Sequence, residues 1–166
     1  MIDLETFDTT PWAAIRSIGA CKFTQSGIVA TFYVNVDSQS CIDLGMSKST
    51  ETETWWQNQS EDAKAALDKD KLPLREALQK FSDWYGSYSM PTWGNGANFD
   101  NVILNTAYKV ASMRCPWDFW HDRCFRTIRT LTRRKYAVTT GTAHNARDDA
   151  ISQAQFLIQM NLDMVD

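Results

Sequence analysis

No apolar run in the chain approaches the roughly 20 residues that a membrane helix needs. Cysteine is sparse: Cys21, Cys41, Cys115 and Cys124 fall at irregular spacings, with no C-x-x-C pair among them. That argues against a zinc knuckle or a disulfide framework and favours reduced thiols in a cytosol. Repeats, low-complexity tracts and linkers are lacking as well, so residues 1–166 read as one domain. Nor is there an excess of positive charge: the net charge of −3 argues against a basic protein that coats any nucleic acid. A signal peptide is not expected, because Asp3 and Glu5 arrive where a charged leader and an apolar stretch would begin. These absences together predict a soluble, cytoplasmic protein with no membrane partner.

What is present is an ordinary globular balance, 43% hydrophobic and 22% charged. A domain of this size buries about two-thirds of its unfolded surface, enough for a self-sufficient core. The charge is unevenly placed. Arg114, Arg123, Arg126, Arg129, Arg133, Arg134 and Lys135 face only Asp118 and Asp122 in their stretch, whereas residues 51–70 lean acidic. A locally basic stretch on an acidic protein suits a substrate gripped at one place. Arg123, Arg126 and Arg129 recur every third residue and can share a helical face, either to hold phosphates or simply to be solvated.

The pattern opens with strands over Ile2 to Thr6, Ile15 to Thr24 and Ile28 to Val36. In the third, Ile28, Ala30, Phe32, Val34 and Val36 alternate with more polar neighbours, the period of a half-buried strand. Thr24 to Gly27 is the hairpin turn. Helices are predicted over Thr52 to Gln59, Glu61 to Asp68, Pro73 to Tyr85, Phe99 to Met113, Arg123 to Arg134 and Ala146 to Met160, with a fourth strand over Met90 to Trp93. Strands first, then helices interleaved with strands, predict a mixed α/β fold, and a ribonuclease H-like sheet flanked by helices is one such arrangement.

The acids carry the chemistry. Asp3 and Glu5 stand two apart on a strand, so both point to one face. Two carboxylates so close repel, and a divalent cation such as Mg²⁺ or Mn²⁺ removes that cost. Asp100 opens a helix after a Gly/Asn-rich loop, and Asp149 lies near the start of the last helix. Each alone is equally consistent with a solvated acid near a helix N-terminus.

Their order is more specific. Asp3-Leu4-Glu5-Thr6, then Asn98-Phe99-Asp100-Asn101, then His144-Asn145-Ala146-Arg147-Asp148-Asp149-Ala150 resemble the three motifs of the DEDDh (DnaQ-like) 3′→5′ exonuclease family. The likeness spans nearly the whole chain. It is strongest to the small single-domain exonucleases and exoribonucleases of phages, prophages and bacteria in the RNase T-like superfamily. Ala13-Ala14-Ile15 and Trp93-Gly94-Asn95-Gly96 point the same way.

The resemblance implies that Asp3, Glu5, Asp100 and Asp149 hold two divalent cations, Mg²⁺ or Mn²⁺, and that His144 is the general base. It implies as the substrate the 3′ end of single-stranded RNA or DNA, released as nucleoside 5′-monophosphates. The backbone and side chain of Thr6 would bind the 3′-hydroxyl, and Glu5 would help to place the terminal nucleotide. Phe7 is a candidate for stacking on a base, or else part of the core, and Arg147 a candidate phosphate contact. Many relatives have Asn where this chain has Gly96, so Asn95 or Asn98 would stand in, and Phe7-Asp8 replaces a common Thr-Gly. Homodimers occur among such relatives and are an option here. The rival expectations are a ribonuclease H-type endonuclease, a hydrolase of small nucleotides and a catalytically idle binding or docking module.

Overall fold

The structure is a computed structural model that describes residues 1–96, 98–133, 135–137, 141 and 144–161, with the backbone alone at 62. The chain begins with β1 (Ile2–Thr6), β2 (Ile15–Thr24) and β3 (Gly27–Asn35), then α1 (Ser38–Ile42), α2 (Thr50–Gln57), α3 (Glu61–Leu67) and α4 (Leu74–Tyr85). It continues with β4 (Thr92–Gly94), α5 (Asp100–Val110), a 3-10 turn (Phe119–His121), β5 (Asp122–Cys124), α6 (Phe125–Leu131) and α7 (Ala146–Met160).

β1, β2 and β3 pair antiparallel in that order, with Asp3 opposite Gly19 and Glu5 opposite Ser17. β4 and β5 pair in parallel, and β4 lies beside β1. Alternation along β1 decides which face carries the acids. Ile2 and Leu4 enter the larger core with Leu74, Leu78 and Phe81 of α4 and Ile103 and Leu104 of α5. Met1, on the opposite side, enters a second core with Phe125 of α6 and Ala150, Ala154 and Leu157 of α7. Asp3 and Glu5 share the side of Met1 and therefore look toward α7. A mixed sheet with helices on both faces is compatible with the ribonuclease H-like fold that the sequence predicts. Burying one Leu or Phe of the kind at positions 78 and 81 contributes roughly 1.5–3 kcal/mol, so the two cores fix the sheet between its helices.

Local chemistry sets the helix starts. The Ser49 hydroxyl accepts from the Thr52 amide at 3.1 Å at the head of α2, whose first turn carries Glu51 and Glu53. Asn145 caps α7 by accepting from the Asp148 amide at 3.3 Å. Three elements differ from expectation. α1 is too short to show a period, although Asp37 caps it. β5 is strand only because Asp122, Arg123 and Cys124 pair with Thr92, Trp93 and Gly94. The helix predicted from Arg123 accordingly begins at Phe125, after an extended Cys124, and ends at Leu131, with Arg134 outside the described residues. Among the described residues, no helix is long and apolar enough to cross a membrane.

Candidate active site

The site forms where β1 meets the start of α7. Gly19, opposite Asp3 on β2, has no side chain, and a Cβ there would overlap the backbone of Ala146 and Arg147. The helix thus rests its first turn on the sheet, and its next turns cover the acids of β1. Gln153, 2% exposed, donates its side-chain amide to Asp3 Oδ1 at 2.7 Å. It follows Asp149 by one helical turn, so both side chains leave α7 toward β1.

Asp100 reaches the site from the other side. It is buried at the head of α5, where its Oδ1 accepts from the Leu4 amide at 3.0 Å and its Oδ2 from the Asn95 amide at 2.6 Å. The carboxylate therefore clamps β1 to the end of β4 rather than merely complementing a helix dipole. Capping does not explain Asp149 either, because Asn145 takes that role. Asp149 Oδ2 instead accepts from the His144 amide at 3.0 Å. His144 holds a left-handed backbone, φ 63°, uncommon for a residue with a side chain. Its ring stands edge-on to Trp55 with centroids 4.9 Å apart, and Trp56 lies 6.3 Å away.

These groups crowd one another. Burial, and then the charges of Asp100, Glu5 and Asp149, hold the Asp3 carboxyl well above the usual range. The same causes, burial first and then Asp149 and Asp100, raise Glu5 to about 8, partly offset by Arg16. Asp100 is raised by burial to about 6, against the lowering pull of the Asn95 and Leu4 amides and of Arg126. Burial also raises Asp149, which the His144 amide and ring partly reverse. Burial, followed by the charges of Asp149 and Asp3, raises the Tyr136 phenol to about 12, which sets Tyr136 beside the same cluster.

Buried and half-buried carboxylates crowded in this way fit a divalent cation, which offsets burial and repulsion together. Ligand atoms of Glu5, His144 and Asp149 all lie within 4.8 Å of one another, a hard oxygen and imidazole set. Asp3 and Asp100 stand outside that trio, their oxygens tied to Gln153 and to the two backbone amides.

The remaining sequence candidates are placed as follows. Thr6 is buried, its hydroxyl donating to the Asp8 carbonyl at 2.7 Å and its carbonyl accepting from Trp56 Nε1 at 2.8 Å. Phe7 is half-buried against the larger core, with the Arg16 guanidinium 4.5 Å and the Lys48 ammonium 4.6 Å from its ring centre. Arg16 also lies 4.5 Å from the Trp56 ring, and Phe7, Arg16, Glu53, Trp56, Lys64 and Asp68 line a cavity of about 350 Å³. Asn98 is exposed, whereas the amide of Asn95 engages Asp100. Arg147 is exposed, donates to Asp148 Oδ1 at 3.2 Å and lies 6.0 Å from the Tyr33 ring.

The basic stretch does not share one helical face. Arg123 belongs to β5, Arg126 packs over Gly96, 3.7 Å from where a Cβ would sit, and Arg129 lies 5.6 Å from the Tyr136 ring. Gln153, Trp55 and Arg16 are parts of the site that no sequence motif marks. Gln153 alone left a usable signal, its spacing from Asp149.

Comparison with curated proteins finds no match. A family profile does match: the 3′-5′ exoribonuclease Rv2179c-like domain covers residues 1–160. The chain belongs to the Rv2179c-like 3′-5′ exoribonuclease domain family.

Proposed function

We propose that this protein is a DEDDh-type, metal-dependent exonuclease that shortens single-stranded RNA from its 3′ end and releases nucleoside 5′-monophosphates. The observation that carries the reading is the convergence of Asp3, Glu5, Asp100, His144 and Asp149 from β1, α5 and α7 on one end of the sheet. Asp3, Glu5, Asp100 and Asp149 would hold two divalent cations, Mg²⁺ or Mn²⁺. Such ions, when bound, activate water and neutralise charge developing on the phosphate oxygens.

The chain's own residues do the rest. An imidazole nitrogen of His144, as general base, takes the proton of the attacking water. Oxygen adds to phosphorus, the bond to the upstream 3′ oxygen breaks, and that oxygen is protonated to become the new 3′ end. Trp55 holds the imidazole edge-on while the cavity beside Phe7 and Arg16 receives the terminal nucleoside. Its lining combines the rings of Phe7 and Trp56 with the cations Arg16 and Lys64, groups that take a base and a phosphate.

The test uses 5′-labelled single-stranded RNA and DNA, a 3′-phosphorylated RNA and a circular RNA, each with Mg²⁺, Mn²⁺ or EDTA. The expected result is a metal-dependent ladder from the free 3′ end, stronger on RNA and suppressed in Asp149→Ala and His144→Ala. Cutting of the circle would instead indicate an endonuclease. Absence of cleavage with every metal would leave a binding or docking role.

A further inference from the structure

The geometry points to a track for the body of the RNA strand, in which the exposed rings of Phe119 and Trp120 and the guanidinium groups of Arg123 and Arg126 lead toward Asp100. This rests on the exoribonuclease reading and extends it to the substrate's length. Phe119 is 73% and Trp120 60% exposed, and their rings stand edge to face with centroids 5.1 Å apart. Two adjacent large rings left in water are unusual for a packed domain and form a platform on which bases stack.

Positive charge continues from that platform to the acids. Arg123 Nη1 donates to the carbonyls of Trp120 at 2.8 Å and Asp122 at 3.0 Å, which fixes the guanidinium next to the rings. Of the two acids in the stretch, Asp122 is engaged elsewhere, because its Oδ1 accepts from Asn101 at 2.7 Å and Trp117 at 2.8 Å. Arg126 lies over Gly96, its guanidinium 3.7 Å from where a Cβ would sit, at the loop that leads to Asp100. Cys124 stands level with Gly94, whose neighbour Asn95 donates to Asp100. From there back to Trp120 is at most about 13 Å of chain, a reach that a few nucleotides cover. A pair of stacking rings followed by two guanidinium groups matches the bases and phosphates of a single strand of RNA.

The experiment measures binding apart from catalysis. Fluorescence anisotropy of a labelled 20-nucleotide single-stranded RNA in EDTA gives Kd for wild type, Trp120→Ala, Phe119→Ala/Trp120→Ala and Arg123→Glu. A parallel assay with Mg²⁺ compares cleavage of that RNA with cleavage of a dinucleotide. Loss of a stacking ring should weaken binding of the long RNA by about fivefold to a hundredfold. Arg123→Glu should also lower the salt slope of log Kd by about 0.7 for each phosphate no longer neutralised. The wild-type preference for the long RNA should shrink in every variant. Unchanged Kd in all three variants, each with a wild-type melting temperature, would overturn the track. So would a ring variant that converts a dimer to a monomer by light scattering and keeps the long-RNA affinity. Absence of cleavage in the wild type would count against the exonuclease reading alone, since Kd decides the track.

Discussion

Gln153 and Asp3 lie 150 positions apart in the chain and share a 2.7 Å hydrogen bond from the amide nitrogen of one to Oδ1 of the other. The bond restrains the carboxylate's rotation beside the other acids. Partners of this kind typically cost about 10–100-fold in metal affinity or activity when removed. Gln153→Ala should therefore weaken Mn²⁺ binding by that order in calorimetry while His144 and Asp149 stay in place. Unaltered Mn²⁺ affinity would mean that Asp3 is oriented by something else.

Glu5 gives a pH dependence with a definite sign. Its carboxyl is raised from 4.5 to about 8 by burial and by Asp149 and Asp100. In the unfolded chain it ionises near the ordinary value, so the folded state holds the extra proton between these limits. The stabilisation is fully present below 4.5 and is lost as pH rises through about 8. Asp100, raised to about 6, acts in the same direction over the lower part of that window. Melting temperatures in EDTA should fall from about pH 5 to pH 8, and Mg²⁺ or Glu5→Gln should flatten the decline. A melting temperature in EDTA that climbs across this window contradicts the account.

Gly19→Ala tests how the helix rests on the sheet. The added methyl has no space against Ala146 and Arg147, and α7 must move away. Forced overpacking of this sort costs about 1–3 kcal/mol, readable as a lower urea midpoint. Because His144 and Asp149 ride on the same segment, cleavage should fall by more than the loss of folded protein explains. Wild-type activity per folded molecule would show that the helix start adapts without disturbing the acids.

Trp55→Ala removes the ring that stands 4.9 Å from the His144 imidazole. A misplaced base should lower kcat by about tenfold to a hundredfold and leave KM nearly alone. In a His144→Ala background the same substitution should cost nothing more. A full additional loss in that background would assign Trp55 a direct role in holding substrate instead.

The sequence discloses the parts of this molecule that depend on local periodicity. β3 follows its alternation to within a residue, β1, β2 and α7 fall on the segments expected of them, and Asp3 and Glu5 share a face because a strand forces it. β5 is different: Asp122-Arg123-Cys124 has no apolar alternation, and only pairing with β4 makes it a strand. That is why the arginine spacing suggests a helical face that Arg123 does not join. Within the site, the acids and His144 are legible as ordered motifs, whereas the Trp55 ring against His144 and the Arg16 guanidinium between Phe7 and Trp56 depend on α2 folding back over β1. Such contacts leave no spacing to read.

The bond between Gln153 and Asp3 also orders events in time. Protein synthesis delivers Asp3, Glu5 and Asp100 well before His144, Asp149 and Gln153. A nascent chain, or one released early by a stalled ribosome, carries half of the cluster and cannot close it. The acids of β1 and α5 stay without Asp149 and Gln153 until the last helix has emerged and docked.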